Sequence, residues 1–190
     1  ITPIIVVMPL SFNAQDFFTF TPEMLRFDPA GYSLKHYRDF LGNPEWTNAV
    51  WNSLRIAPVA TFISVSLGTL AAIGLSQSHV PGKRAIMAIL ISPMIVPLII
   101  SAAAMFFFFS KLGLTQTYLG VILAHTALGI PFVVITVTAT LSGFDHSLTR
   151  AAHSLGASPS RTFFRIILPL VTPGVVSGAL FPFLPSFAAV

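Results

Sequence analysis

Four stretches without a single Asp, Glu, Lys or Arg constrain this chain more than anything else in it: residues 56–82, 85–110, 112–144 and 166–190. The first two are 27 and 26 residues long. A helix rises 1.5 Å per residue, so about 20 apolar residues cross a hydrocarbon core about 30 Å thick. Only 8% of the chain is charged, against about 25% for a soluble domain. So few charges cannot cover a globular surface, and the class is an all-α membrane protein, a polytopic helical bundle.

The runs give spans at 56–82, 85–110 and within 112–144, and a further one from near Ile167 to the end. Residues 1–10 supply the tail of an earlier span, so about five spans are present. The chain opens without Met and stops inside an apolar run; both ends read as cut edges. Residues 11–46 are polar and aromatic, broken by Pro22, Pro29, Gly31, Gly42 and Pro44. Within them Ser33–Leu41 is expected as a short interfacial helix anchored by Tyr37 and Phe40. Trp46 and Trp51 mark a membrane boundary, where amphipathic rings prefer to sit.

Cationic loops stay in the cytoplasm. Lys83 and Arg84 lie in one loop, Arg150, Arg161 and Arg165 in another, with Asp145 the one acid between them. Two spans separate these loops, so they share a side. The 11–46 segment carries five acids against three cations and is expected outside. There is no cysteine, so neither a disulfide framework nor a Cys-based metal site. No G-x-x-x-x-G-K-[ST] loop occurs, because Gly82-Lys83 is followed by Arg84. No H-E-x-x-H and no serine nucleophile elbow occurs either, and no enzyme active site is expected.

The most polar stretch of the second half is 145–174, read as two short helices about a corner. Leu148, Ala151, Ala152 and Leu155 fall at i, i+3, i+4 and i+7, one helical face. Asp145 or Ser147 can cap its start. Gly156 stands where a helix end needs a left-handed residue. Ser158 can cap a second helix, with Pro159 at its first position. Phe163, Phe164, Ile167 and Leu168 form its apolar stripe, and Pro169 is expected to disturb it. Such a pair has a DNA-binding look, but flanking membrane-length apolar runs exclude nucleic acid as a partner.

Ala151-Ala152, Gly156 four residues on, and the Ile167-Leu168-Pro169 ending resemble the cytoplasmic "EAA" loop of permease subunits in binding-protein-dependent ABC importers. Arg150 stands where that motif has its leading glutamate. The resemblance implies the MetI-like, type I importer permease fold with a sixth helix missing here. The chain is then one permease domain over 1–190, with an extracytoplasmic segment at 11–46 and a cytoplasmic coupling loop at 142–168. It implies that Leu148, Ala151, Ala152, Leu155, Gly156, Phe163, Ile167 and Pro169 couple to the ATPase. It implies ATPase subunits, a second permease subunit, an extracytoplasmic solute-binding protein and the lipid bilayer as partners. No cofactor is expected on this chain; ATP and Mg belong to the ATPase. The outer segment, Gly31 to Trp46 with Asn52-Ser-Leu after it, looks most like the spermidine/putrescine branch. That branch has an acidic pair after its Ser-Phe, where this chain has Ala188-Ala189 following Ser186-Phe187.

Prolines inside the spans each remove a backbone donor, and the freed carbonyl needs protein or a wet cavity. Pro93 and Pro97 are the densest case, expected as a kinked helix lining the substrate path. His125 is the one ionisable side chain deep in its span, and an intramembrane ionisable group is a pathway candidate. A neutral packing residue is the other reading of it. Thr126, Thr136, Thr138 and Thr140 are open between bonds across helices and bonds to their own backbone. Phe106–Phe109 read as lipid-facing or gate-lining bulk. Two alternatives stand beside the importer: an ion-coupled secondary transporter with His125 as relay, and a non-transporting membrane scaffold.

Overall fold

The computed structural model describes residues 2–77, 80–145 and 147–188, with side chains from Ile4 onward. Ala189 of the comparison with the acidic pair falls outside the described residues. The chain divides into two compact units, 1–52 and 53–190.

In the first unit, helix α1 (Thr2–Leu10) leads into a loop built on Asn13. The buried Asn13 amide donates to the carbonyls of Phe17 and Thr19, both at 2.8 Å, and its Oδ1 accepts from the Gln15 N–H. Thr21 caps the single turn α2 (Pro22–Leu25), and Asp28 caps a 3-10 turn over Pro29–Gly31. Lys35 opens α3 (Lys35–Gly42) and forms a 2.6 Å ion pair with Asp16. The hydrogen bond and charge of that ammonium hold the Asp16 carboxyl below its ordinary range. A helix therefore stands where one was expected at Ser33–Leu41, beginning two residues later and ending one later.

The long helix α4 (Pro44–Ser76) begins a dozen residues before the apolar run does. Pro44, expected as a turn-breaker, is its first residue, and the Asn43 side chain accepts the Glu45 N–H at 2.9 Å. A proline is well placed there, since the first-turn N–H has no partner to lose.

In the second unit, the expected third span is broken. Helix α5 (Lys83–Ile95) and helix α6 (Leu98–Lys111) meet at 102°. Pro97 forces the residue before it out of the helical region, and Val96 sits at ψ 134. Pro93 frees the Ile89 carbonyl, which the Ser92 hydroxyl satisfies at 2.8 Å. The expected kink is thus a full break, with a local hydrogen bond closing its upstream half. Neither piece is long enough alone to cross a bilayer, at about 20 Å each.

Helix α7 (Tyr118–Ser142) is capped by the Thr117 hydroxyl. After α8 (Ser147–Ser154), helix α9 (Pro159–Thr162) runs through a π turn at Phe163–Ile167 into α10 (Leu168–Ala188). The second helix of the loop is therefore not short: it is the start of the last span. Pro169 does not stop it. Proline removes one i→i−4 bond and crowds the carbonyl four residues back. The chain widens just before it, and the Leu168 N–H bonds the Phe163 carbonyl five residues away.

Helices α7 and α10 pack closely, and the core joins them to α4 through Ala72, Val133, Val137, Leu141 and Val171. Gly174 and Gly178, a G-x-x-x-G pair, let the backbones approach. A Cβ at Gly178 would collide with the Thr136 hydroxyl and lie 3.1 Å from Val133 Cα. Among the described residues three helices, 44–76, 118–142 and 159–188, are long and apolar enough to cross a membrane, or four spans if the bent pair counts as one. Phe106, Phe107 and Phe108 are exposed on α6.

Candidate functional site

The loop between α7 and α10 is shaped by its caps. The Asp145 carboxylate accepts the Ser147 N–H at 2.8 Å and the Ser147 hydroxyl at 2.6 Å, and so starts α8. Its end is a Schellman motif. The Ala157 N–H reaches the Ala152 carbonyl at 2.9 Å and the Gly156 N–H the His153 carbonyl at 3.0 Å. Gly156 takes φ +78 with open space where a Cβ would stand. The position needs glycine for its backbone and has no steric need of it. Ser158 then accepts the Arg161 N–H, with Pro159 at the first helical position.

Leu148, Ala151, Ala152 and Leu155 do share one face, and it lines a shallow groove of about 420 Å³. Ala157, Arg161, Thr162, Arg165 and Ile166 complete the wall. Ala152 is buried at its floor, whereas Leu148 and Leu155 stand out at 45% and 88% exposure. Much of the apolar surface of these two side chains is therefore left uncovered by the loop. The remaining loop residues lie elsewhere. Phe163 makes an edge-to-face pair with the exposed Phe164, centroids 4.9 Å apart. Ile167 packs against the core between the spans. Pro169 is exposed on α10.

Beneath α8 a second cavity of about 230 Å³ is lined by Ser76, Gln77, Thr149, His153, Thr162 and Ile167, among others. Thr162 is 2% exposed, and its hydroxyl has no hydrogen-bond partner among the described residues. Sequence reasoning passed over Thr162 because it faces neither apolar stripe. It also passed over Gly174 and Gly178, whose four-residue spacing was a readable signal.

Of the pathway candidates, His125 is half-buried on α7, and its Nδ1 shares a 2.8 Å hydrogen bond with the buried Ser186 hydroxyl on α10. Pro93 is half-buried in the last turn of α5, and Pro97 is exposed at the break. The threonines divide. Thr136 and Thr140 bond carbonyls of their own helix, while Thr126 comes within 3.5 Å of the Ala60 carbonyl on α4. The buried Thr138 hydroxyl has no partner among the described residues. Ser64 on α4 reaches the Thr126 carbonyl at 3.2 Å.

A family model described as "Binding-protein-dependent transport system inner membrane component" matches residues 64–190. The chain is 32% identical over 181 residues to the spermidine/putrescine transport system permease protein PotC of Haemophilus influenzae, covering 95% of this chain and 67% of that protein. It is 33% identical over 153 residues to the osmoprotective compounds uptake permease protein GgtD of Synechocystis, covering 80% and 51%. It is 29% identical over 156 residues to the trehalose transport system permease protein SugB of Mycobacterium tuberculosis, covering 82% and 57%. The chain thus spans about half to two thirds of the length of these three curated relatives. Its apolar helices, its helical loop between two of them and these similarities agree: the chain belongs to the binding-protein-dependent transport system inner membrane components, multi-pass inner-membrane permease subunits of ABC transporters whose ATP hydrolysis is done by separate ATPase subunits.

Proposed function

We propose that this chain is the transmembrane subunit of an ATP-driven importer and that residues 147–168 are its coupling element. The observation that carries this reading is the exposed apolar face of α8, with Leu148 and Leu155 beside an open groove. An amphipathic helix presented in this way suits a helix-in-groove contact. Gly156 sets the corner that presents it, and Phe163, Ile167 and Pro169 carry displacement of the loop into α10. On this reading the loop is cytoplasmic and the 11–46 segment faces an extracytoplasmic binding protein. ATP and Mg sit on the ATPase, and a second permease subunit completes the pathway. The break at Pro93 and Pro97 and the His125–Ser186 pair border that pathway.

A polyamine is the favoured solute, on the likeness of the outer segment to that branch and on the similarity to a spermidine/putrescine permease. The likeness to osmoprotectant and trehalose permeases makes those solutes the competitors in the test. The test is co-purification of the full-length permease with the ATPase encoded beside it, followed by uptake of spermidine against trehalose in proteoliposomes. Burying Leu155 is worth about 2 kcal/mol, so Leu155→Asp should weaken ATPase binding roughly 30-fold or more. Unchanged association in that variant refutes the docking role. Uptake of trehalose and not spermidine refutes the solute alone.

A further inference from the structure

The groove beside α8 is lined almost wholly by apolar atoms, and the two arginines at its edge are exposed to solvent. Arg161 and Arg165 line it, whereas Arg150 is exposed on the side of α8 away from the groove. None of the three has an ion-pair partner among the described residues, where Lys35–Asp16 is the one salt bridge. The only acid of the sequence beyond residue 45 is Asp145. Both of its carboxylate oxygens are engaged by Ser147 at the start of α8. The loop therefore offers the guanidinium groups of Arg161 and Arg165 beside an apolar surface, with no ion-pair partner among the described residues.

We infer that the groove takes a partner segment carrying carboxylates beside an apolar side chain: an acid-rimmed surface on the ATPase, engaged by Arg161 and Arg165. This rests on the docking role proposed above and adds the chemistry of the partner. Arginine suits the task because its planar fork matches a carboxylate and it is weakly hydrated. The apolar floor holds the partner in place, and the charges speed and orient its approach. Exposed charges of this kind act mainly on the association rate and are screened by salt.

The test uses the full-length permease in nanodiscs of neutral phosphatidylcholine, with the ATPase encoded beside it as the probe in biolayer interferometry. Salt is varied from about 0.05 to 0.5 M, across which the screening length falls several-fold. The wild-type association rate should fall about tenfold across that range, and Arg161→Glu/Arg165→Glu should slow it about tenfold at low salt and flatten the dependence. Arg161→Gln/Arg165→Gln should lie between. Both arginines are exposed, so the core is untouched, and a monodisperse profile on size exclusion verifies this. Leu155→Ser, which removes the apolar contact without adding charge and so raises the dissociation rate at every salt, reports on the dock itself. If Leu155→Ser loses binding while the double Glu variant keeps the wild-type rate and salt slope, docking stands and the acid-rimmed partner is overturned. If neither variant changes anything, the docking role fails and this inference with it. If the double Glu variant differs only in nanodiscs containing anionic phosphatidylglycerol, the arginines answer to lipid headgroups, which also overturns it.

Discussion

Replacing Gly156 by asparagine and by alanine separates two reasons for a glycine at the coupling corner. Gly156 sits at φ +78, and a Cβ there would meet nothing within 4 Å. The cost of a side chain is therefore conformational. A left-handed residue with a Cβ costs about 1–2 kcal/mol, less for asparagine, whose short polar side chain visits that region routinely. Gly156→Ala should thus shift the balance between formed and opened corner about 5- to 30-fold. Gly156→Asn should stay close to wild type, and Gly156→Trp should resemble alanine in the isolated permease despite its bulk. Hydrogen exchange of the Gly156 and Ala157 amides reads this directly, since both close the Schellman motif. Solute-stimulated ATPase activity of the assembled transporter reads its consequence. Equal losses for asparagine and alanine in both measurements would refute the backbone argument and assign the glycine to close contact with the partner. Alanine indistinguishable from wild type in exchange would refute the strain itself.

Two further outcomes follow from the packing of α7 on α10. Gly178→Leu places atoms against Thr136 and Val133, where a bare Cβ already collides, so it should destabilise the bundle by about 1–3 kcal/mol or more, read as a lowered thermal midpoint in detergent. Gly74→Leu, at a helical glycine where a Cβ meets nothing, should move the midpoint far less; equal shifts would refute close approach as the cause. His125→Ala leaves the buried Ser186 hydroxyl without this partner and should cost about 1–3 kcal/mol, with His125→Asn recovering part of it. Transport lost in both variants while stability returns in asparagine would mark the imidazole itself as part of the pathway; transport that tracks stability would mark it as packing.

What was legible in the sequence follows from local physics. Uncharged runs longer than a bilayer is thick leave helices as the way to satisfy the backbone, and α4, α7 and the last helix lie where those runs are. Caps are equally local. Ser158 with Pro159, and Gly156 after the apolar face of α8, depend on residues within one turn, and the structure has both as the sequence implied. The expectation of a proline effect at 93–97 was sound in place and short in degree. A single chain position fixes that Pro97 breaks a hydrogen bond, but the 102° bend depends on what the two halves then pack against.

Pro169 is the converse case. From the sequence it is expected to disturb a helix, and it does so without ending it: α9 and α10 continue through it by way of a π turn that widens the ladder just upstream. That choice costs one irregular turn and keeps Ile167 and Leu168 against the core, a gain visible only once the neighbouring helices are in place. The same limit applies to rotation about a helix axis. Residues 118–142 are apolar nearly all round, so periodicity cannot tell which side of α7 faces α10. Gly174 and Gly178 decide it, by admitting Thr136 and Thr140 where a larger residue would hold the helices apart.

By itself the sequence determined the class, the helices and the loop with its caps, because hydrophobic length and backbone hydrogen bonding act within a few turns of the chain. Only the tertiary structure decided that α8 turns Leu148 and Leu155 outward over a groove, that Arg161 and Arg165 wall it, and that His125 meets Ser186. The last joins residues 61 apart in sequence across packed helices; the first two depend on how the corner at Gly156 sets α8 against the start of the last span.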